Sequence, residues 1–228
     1  MKHLFRYRHC ISATLIIETA LFLFCTLQTA GPGNSSDTGN VVKIAAKGTS
    51  ISVTSEKKCD ITVFSTDYVP MTQFRTGFID SSSFTFDSTL GEYLISSLPE
   101  GRYNILIRDR DSGLTAFIGN IPAADDSSFI KKDTLRDPGV IEGTAKSRID
   151  GSELTWTYAY IPGSPYYDYT GYLGKFTFYR VPEGKYLLNF YGIQTDTSVP
   201  TGSNPATNLT TEADTIIVLP GGTTTFTR

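Results

Sequence analysis

The segment LGEYLISSLPEGRYNI at residues 90–105 recurs as LGKFTFYRVPEGKYLL at residues 173–188. The two copies align without gaps from residue 90 to residue 173, an offset of 83. Leu, Gly, Pro, Glu, Gly and Tyr are identical, and most of the other pairs are conservative. Self-similarity at a fixed offset indicates an internal structural repeat.

Each copy has the side-chain alternation of a β-hairpin. In the second copy the apolar positions are Phe176, Phe178, Tyr186, Leu188 and Phe190. Their counterparts in the first are Tyr93, Ile95, Tyr103, Ile105 and Ile107, and the first copy adds Leu98 before its turn. A period of two places such residues on one strand face. Between the strands, Pro-Glu-Gly predicts a turn in which proline fixes φ and glycine accepts a positive φ. We expect Tyr103 and Tyr186 to be equivalent buried residues whose hydroxyls bond the backbone near the turn.

A weaker match precedes each copy. Residues 60–62 parallel residues 153–155, and residues 68–70 parallel residues 160–162 in the same order. Other short apolar runs are separated by turn residues, which is typical of a sandwich. The fold class predicted is therefore all-β, with two tandem antiparallel β-sandwiches after an N-terminal hydrophobic targeting helix.

The predicted organisation has four parts. Residues 1–30 are a signal or anchor segment and residues 31–40 are a flexible tether. Residues 41–136 form the first sandwich domain, and residues 137–228 form the second. The tether is assigned on its Gly, Ser, Thr and Asn content, which is typical of flexible linkers.

The N-terminus has the pattern of an export signal. Basic residues up to Arg8 precede the apolar run at residues 11–27, and small residues follow it. The run is short for a membrane span and contains Glu18, which is costly at a bilayer centre. Three alternatives stay open: cleavage near Ala30, an uncleaved anchor, and lipidation at Cys25. Residues 21–25 (LFLFC) resemble a degenerate bacterial lipoprotein box, although Phe24 stands where a small residue is usual.

Composition excludes several functional classes. Both histidines, His3 and His9, lie before the apolar run, and Cys59 is the one cysteine after it. The body therefore has no internal disulfide, no Cys/His zinc site and no histidine-activated nucleophile. After residue 30 there are 17 basic and 22 acidic side chains, a net charge of −5, so nucleic-acid binding is not expected.

Three segments of the second half match a family pattern: GVIEG at residues 139–143, IPGS at residues 161–164, and residues 174–188. In this order they resemble the carboxypeptidase regulatory-like (transthyretin-like) family, over most of residues 137–192. The first half matches only at residues 91–105. The resemblance implies a seven-stranded antiparallel sandwich of prealbumin or immunoglobulin-like shape. It also implies an accessory module or a tandem part of a bacterial surface protein. A tether before such a domain is similar to surface lipoproteins of fibre-degrading bacteria.

Candidate binding residues follow the IPGS segment: Tyr166, Tyr167, Tyr169 and Tyr172. Exposed aromatic rings stack on sugars, and tyrosine-rich patches also form protein interfaces. An exposed, co-planar set of the first three would favour sugar binding. Upstream, Trp156, Tyr158 and Tyr160 share one strand face. The favoured interpretation is that Trp156 and some tyrosines fill the core or the edge of the sandwich.

Acidic residues offer no clear metal or catalytic site. Residues 109–113 (DRDSG) place oxygen ligands at alternate positions, but the distal glutamate of a calcium loop is missing, and a polar hairpin turn is favoured. Nothing pairs two carboxylates across a cleft, as glycoside hydrolysis requires. We predict no catalytic residue, no metal and no cofactor.

Two functions remain. The leading prediction is a non-catalytic structural or adhesive module of the cell envelope, attached to a membrane through its N-terminus. The alternative is a carbohydrate-binding surface protein that uses the tyrosine patch. The partners expected are the membrane and a polysaccharide or another envelope protein. The predicted location is the periplasm, the outer membrane or the cell surface.

Overall fold

The structure is a computed structural model that describes residues 37–70, 78–79, 84–147, 151–192 and 212–227. Ser36–Arg228 form one compact unit. The predicted targeting helix, Cys25 and most of the predicted tether lie outside the described residues. Within the described ranges, no helix is long and apolar enough to cross a membrane.

The regular secondary structure of the described residues is almost entirely strand, as predicted. After a 3-10 helix at Asp37–Asn40, the first nine strands are β1 (Val41–Lys47), β2 (Ser50–Ser55), β3 (Cys59–Ser65), β4 (Phe78–Ile79), β5 (Thr85–Asp87), β6 (Glu92–Ile95), β7 (Gly101–Asp109), β8 (Thr115–Ala123) and β9 (Ser128–Thr134). The remaining seven are β10 (Gly139–Thr144), β11 (Thr157–Tyr160), β12 (Tyr167–Tyr169), β13 (Lys175–Val181), β14 (Gly184–Gly192), β15 (Glu212–Val218) and β16 (Thr223–Thr227), with a 3-10 turn at Tyr172–Gly174 before β13.

The first sandwich packs a sheet of order β5-β6-β2-β1-β9 on a sheet of order β4-β3-β7-β8. One buried cluster joins their inner faces, with Ile44 and Val53 from the first sheet and Ile61, Ile105 and Ile118 from the second. Alternating apolar residues on each strand produce this face-to-face core.

The second sandwich packs a sheet of order β13-β10-β16 on a sheet of order β12-β11-β14-β15. Its core is rich in phenylalanine: Phe176, Phe178 and Phe190 are buried, and Phe226 packs against them. Strand β16 pairs with β10 in parallel, so the second sandwich is not antiparallel throughout. The last strand returns beside the first in the same direction, which local alternation does not reveal.

The repeat at offset 83 holds in three dimensions. Tyr103 donates a hydrogen bond from its hydroxyl to the Pro99 carbonyl at 2.7 Å. Tyr186 does the same to the Pro182 carbonyl at 2.8 Å. Both rings are about 5% exposed. The prediction of two equivalent buried tyrosines bonded near the turn is confirmed.

A positive φ was predicted for the turn glycine of the repeat, but the structure places it at the first glycine of each copy. Gly91 and Gly174 at the start of each copy have φ of 60° and 66°, the left-handed region that glycine adopts at low cost. The turn glycine Gly184 does not have a positive φ, contrary to prediction. A Cβ there would lie 3.2 Å from the Tyr186 ring, so this glycine makes room for the tyrosine that folds back over the turn.

The weaker upstream match is wrong in register. Ile61 lies opposite Ile107, and Ala159 lies opposite Phe190. Since Ile107 and Phe190 are repeat equivalents, Ile61 corresponds to Ala159 rather than to Leu154. The Ile–Ile pair of one core is replaced by an Ala–Phe pair in the other, which changes both residues while conserving volume approximately.

Strand β1 has no counterpart among the described strands of the second sandwich. It lies between β2 and β9, whereas the equivalent strands β10 and β16 pair directly. The chain enters this strand from the 3-10 helix, where the Asn40 carbonyl accepts a hydrogen bond from the Leu135 amide at 2.8 Å. The last four residues of the predicted flexible tether are therefore ordered.

A buried junction joins the two sandwiches. Phe64, Tyr68 and Leu106 form a separate apolar cluster on the outer face of the sheet that contains β3 and β7. Phe117 packs against this cluster, and its ring lies 5.6 Å from the ring of Tyr186 in the second sandwich.

Hydrogen bonds across the junction hold the loop around Gly163 against the first sandwich. The Asn104 amide nitrogen donates to the Gly163 carbonyl at 2.9 Å, and the Gly163 amide donates to the Tyr68 carbonyl at 2.7 Å. Asn104 is buried and also accepts from the Asn120 amide at 3.0 Å. The exposed ion pair of Arg136 with Glu183 adds little, because solvent screens such pairs.

Candidate ligand-binding site

Strands β11, β12 and β14 place aromatic rings on the face of their sheet that points away from the core. We call this set the outer aromatic face; its members are Trp156, Tyr158, Tyr160, Tyr167, Tyr169 and Tyr191. Register explains it, because Tyr158 lies between Tyr169 and Tyr191, and Tyr160 lies beside Tyr167. The intervening Ala159 points into the core. An exposed sheet face is usually polar, so a row of rings there is a candidate binding surface.

Three of these rings form a continuous cluster. The ring centroids of Tyr158 and Tyr169 are 4.9 Å apart at 56°, and those of Trp156 and Tyr169 are 5.8 Å apart at 40°. Trp156 is 62% exposed and Tyr169 is 44% exposed. The cluster therefore presents two large aromatic surfaces to solvent, supported from behind by Tyr158.

Tyr166 does not belong to this surface. It is buried in the core of the second sandwich, and its hydroxyl donates to the Arg180 carbonyl at 2.9 Å. Burial raises its pKa far above the usual range, although Arg108 and Arg180 oppose the shift. The exposed, co-planar set of Tyr166, Tyr167 and Tyr169 that would favour sugar binding is therefore not present, because the loop after Ser164 turns the Tyr166 side chain inward.

The other three predicted tyrosines are exposed, but they do not form one cluster. Tyr169 lies in the three-ring cluster described above. Tyr167 lies at the other end of β12, opposite Tyr160. Tyr172, in the 3-10 turn before β13, is 78% exposed and contacts no other aromatic ring among the described residues.

Trp156 does not fill the core, because it is 62% exposed. It lies beside Tyr169 of the edge strand β12, which agrees with the edge position that the favoured interpretation also allowed. Tyr160 is buried, but on the face that points away from the core. The W-x-Y-x-Y and Y-x-Y spacings show which residues share a face, but not whether anything covers it.

The outer aromatic face carries no ionised group along β11 and β12. Asp168 of β12 points to the opposite side, where its carboxylate accepts from the Thr177 amide at 2.7 Å and from the Tyr169 amide at 2.8 Å. On β14 the neighbouring side chain is Asn189, whose amide nitrogen lies 3.5 Å from the Tyr160 hydroxyl. Among the described residues, the surface along β11 and β12 therefore offers rings, hydroxyls and the Asn189 amide, and the charged side chain Lys185 lies towards the other end of β14.

The acidic segment at residues 109–113 is a hairpin turn between β7 and β8. Asp109 is buried and accepts from the Ser112 hydroxyl and from the Asp111 amide. Burial would raise the Asp109 pKa, but these hydrogen bonds outweigh it and lower the pKa. In the described part of the chain, no three metal-binding side chains come together.

Cys59, the cysteine of the folded unit, is buried in the first core. Burial raises the pKa of its thiol, and Ser55 lies 3.5 Å from the sulfur. A protonated, inaccessible thiol is a poor nucleophile. Cys59 therefore acts as a small apolar core residue.

Similarity of this chain to known proteins is limited to its fold. No protein-family model matches this chain, and no curated protein matches it. Among solved structures, BcpA, the major pilin subunit of Bacillus cereus, is similar over 82% of this chain and 69% of that chain, with 10% identity and a TM-score of 0.29. The resemblance to the carboxypeptidase regulatory-like family therefore rests on the quoted motifs and stays a prediction.

Proposed function

We propose that this chain is an exported, non-catalytic module of the cell envelope that is attached to a membrane through its N-terminus. It presents two sandwich domains, at residues 41–136 and 137–228, as one rigid body. The observation that supports a rigid two-domain module is the buried junction, in which Asn104 and Gly163 bond across the two sandwiches. A spacer or adhesin must transmit force or hold a surface at a fixed angle, and a hydrogen-bonded apolar junction suits that task.

The chemistry of the body supports a non-catalytic role. No histidine follows residue 9, and the buried thiol of Cys59 is not a nucleophile. Among the described residues, the carboxylate with a lowered pKa is that of Asp109, and it is engaged in a turn. General acid–base catalysis would need a titratable group in a cleft with a pKa near the working pH.

Membrane attachment is tested by fractionation of the native host, comparing wild type with Cys25→Ser. We expect the wild-type protein in the membrane fraction. A single acyl chain binds weakly, so a lipid anchor on Cys25 would need more than one chain. Release or unprocessed accumulation of the variant alone would identify Cys25 as the anchor, and retention of both forms would identify an uncleaved helix. Wild-type protein in the soluble fraction would contradict the proposal.

A second candidate function, carbohydrate binding, is favoured by the outer aromatic face. The exposed rings of Trp156 and Tyr169 are adjacent, and β11 and β12 place no ionised side chain on this face. Apolar C–H faces of a sugar ring stack on such rings, while hydroxyl groups bond at the periphery. In this reading the rigid body carries an adhesive surface on its second sandwich.

A further inference from the structure

Trp156 has a backbone conformation that is unfavourable for a bulky residue. Its φ is 57°, in the left-handed region where a side chain clashes with the backbone. It is also the only tryptophan in the chain and is 62% exposed. The exposed ring gains little from packing, so burial does not explain why this residue occupies a strained position. Strained residues of this kind concentrate at functional sites.

Buried Thr170 holds the strained segment in place. Its carbonyl accepts from the Trp156 amide at 3.0 Å, and its hydroxyl oxygen accepts from the Thr157 amide at 2.8 Å. The same hydroxyl donates to the Leu154 carbonyl at 2.6 Å. Thr170 is fully buried, and its hydrogen bonds hold the backbone before and after Trp156, at Leu154 and Thr157.

The sandwich fold does not itself require this strain. Ser97 and Arg180 are repeat equivalents at offset 83, and both have a positive φ, so their conformation belongs to the repeated hairpin. By the strand register, Trp156 corresponds to Lys58, which is not in the left-handed region. The strain at Trp156 is therefore specific to the second sandwich and to the surface that it carries.

We propose that Trp156 is the anchoring residue of a binding site for an uncharged polysaccharide, with Tyr169 and Tyr158 beside it and Thr170 as a positioning residue. The inference rests on carbohydrate binding as the second candidate function. An uncharged ligand is indicated because the face combines rings, hydroxyls and an amide without an ionised side chain along β11 and β12.

A second copy of the chain fits this face less well. On the first sandwich, Asn104 and Phe117 hold the second sandwich in place. At the corresponding positions the second sandwich has Leu187 and Ala213. The second sandwich therefore does not repeat the groups that form the internal junction. A second copy docked on it head to tail would lack the asparagine hydrogen bond and the phenylalanine ring contact.

Affinity electrophoresis of the full chain tests the site. Gels containing soluble β-glucan, xyloglucan, mannan or, as an anionic comparison, polygalacturonate are run with wild type, Trp156→Ala, Tyr169→Ala and the control Tyr179→Ala. Tyr179 is 69% exposed on the other sheet. We expect at least one neutral polysaccharide to retard wild type and Tyr179→Ala. Trp156→Ala should weaken binding by about tenfold or more, as loss of an aromatic anchor does at other binding surfaces.

The experiment distinguishes a failure of the anchoring role of Trp156 from a failure of carbohydrate binding as such. If wild type and Trp156→Ala bind a neutral polysaccharide equally, the anchoring role is wrong and carbohydrate binding stands. If no neutral polysaccharide retards wild type, carbohydrate binding and the inference both fail. Binding to polygalacturonate alone, or self-association without any glycan, would likewise contradict the uncharged ligand.

Stability measurements separate function from structure at Trp156. Trp156→Gly removes the strain, so its melting temperature should equal or exceed that of wild type while binding is lost. A clear fall in melting temperature would show that the tryptophan is structural.

For Thr170, the conservative Thr170→Ser should retain binding and the tryptophan emission spectrum. Thr170→Val should alter the spectrum and weaken binding; wild-type behaviour of Thr170→Val would overturn its positioning role.

Discussion

Replacing Gly174 by alanine is expected to lower the free energy of unfolding by about 2–5 kcal/mol. Gly174 has φ of 66°, and an added Cβ would lie 2.4 Å from the Ala145 carbonyl oxygen. That oxygen belongs to backbone, and the Gly174 carbonyl accepts a hydrogen bond from the Ala145 amide at 3.0 Å. Relief of the clash therefore breaks the contact between the start of β13 and the end of β10.

Urea denaturation of the full chain measures this effect, and the chain offers matched controls. The repeat equivalent Gly91 has a similar φ of 60°, but its nearest neighbour would be the Ser55 carbonyl oxygen at 3.0 Å. Gly91→Ala should therefore cost less than Gly174→Ala. Gly171 has nothing within 4 Å of an added Cβ and no positive φ, so Gly171→Ala should be nearly neutral. Equal effects at Gly174 and Gly171 would contradict the packing described.

Replacing Gly163 by alanine should weaken the junction between the two sandwiches and lower the free energy of unfolding. An added Cβ would lie 2.3 Å from the Asn104 amide nitrogen and 3.0 Å from the Thr66 carbonyl oxygen. The φ of 65° adds backbone strain. Because Asn104 would lose a buried partner, the expected loss of stability is about 2–4 kcal/mol.

Gly151→Ala is the control for the backbone contribution at Gly163. Gly151 has a φ of 71° and nothing within 4 Å of an added Cβ. It should therefore show only the cost of a left-handed alanine, about 1–2 kcal/mol. The difference between the two variants in the same urea titration measures the junction contact. If Gly163→Ala is no worse than Gly151→Ala, the loop at residues 161–166 does not pack against the first sandwich as described.

Short-range patterns in the sequence predicted the hairpins well. Alternation around the Pro-Glu-Gly turns identified the buried face, and the offset of 83 identified Tyr103 and Tyr186 as equivalents. Alternation and turn residues depend on neighbours within a few residues, and the repeat appears as matching residues at a fixed offset, so both are visible in the sequence. The parallel pairing of β16 with β10 depends on strands more than 75 positions apart and leaves no such pattern.

The candidate site was predicted only in part, for a related reason. Period-two spacing shows that Trp156, Tyr158 and Tyr160 share a face, but their exposure depends on what packs there. In the first sandwich the corresponding outer face is covered at the junction, where Phe64 is 1% exposed. In the second, Tyr160 is buried while Trp156 projects from a strained turn that no residue pattern signals. Tyr166 failed as a candidate because the loop directs it into the core.

The most direct test of the central claim, that the two sandwiches form one rigid body, is a set of residual dipolar couplings. Amide couplings would be measured on the full chain in a weakly aligning medium, for residues 41–134 and for residues 139–192. The structure predicts that a single alignment tensor, equal in magnitude and orientation, fits both sets. Two tensors of different magnitude or orientation would contradict a fixed junction and leave two independently moving domains.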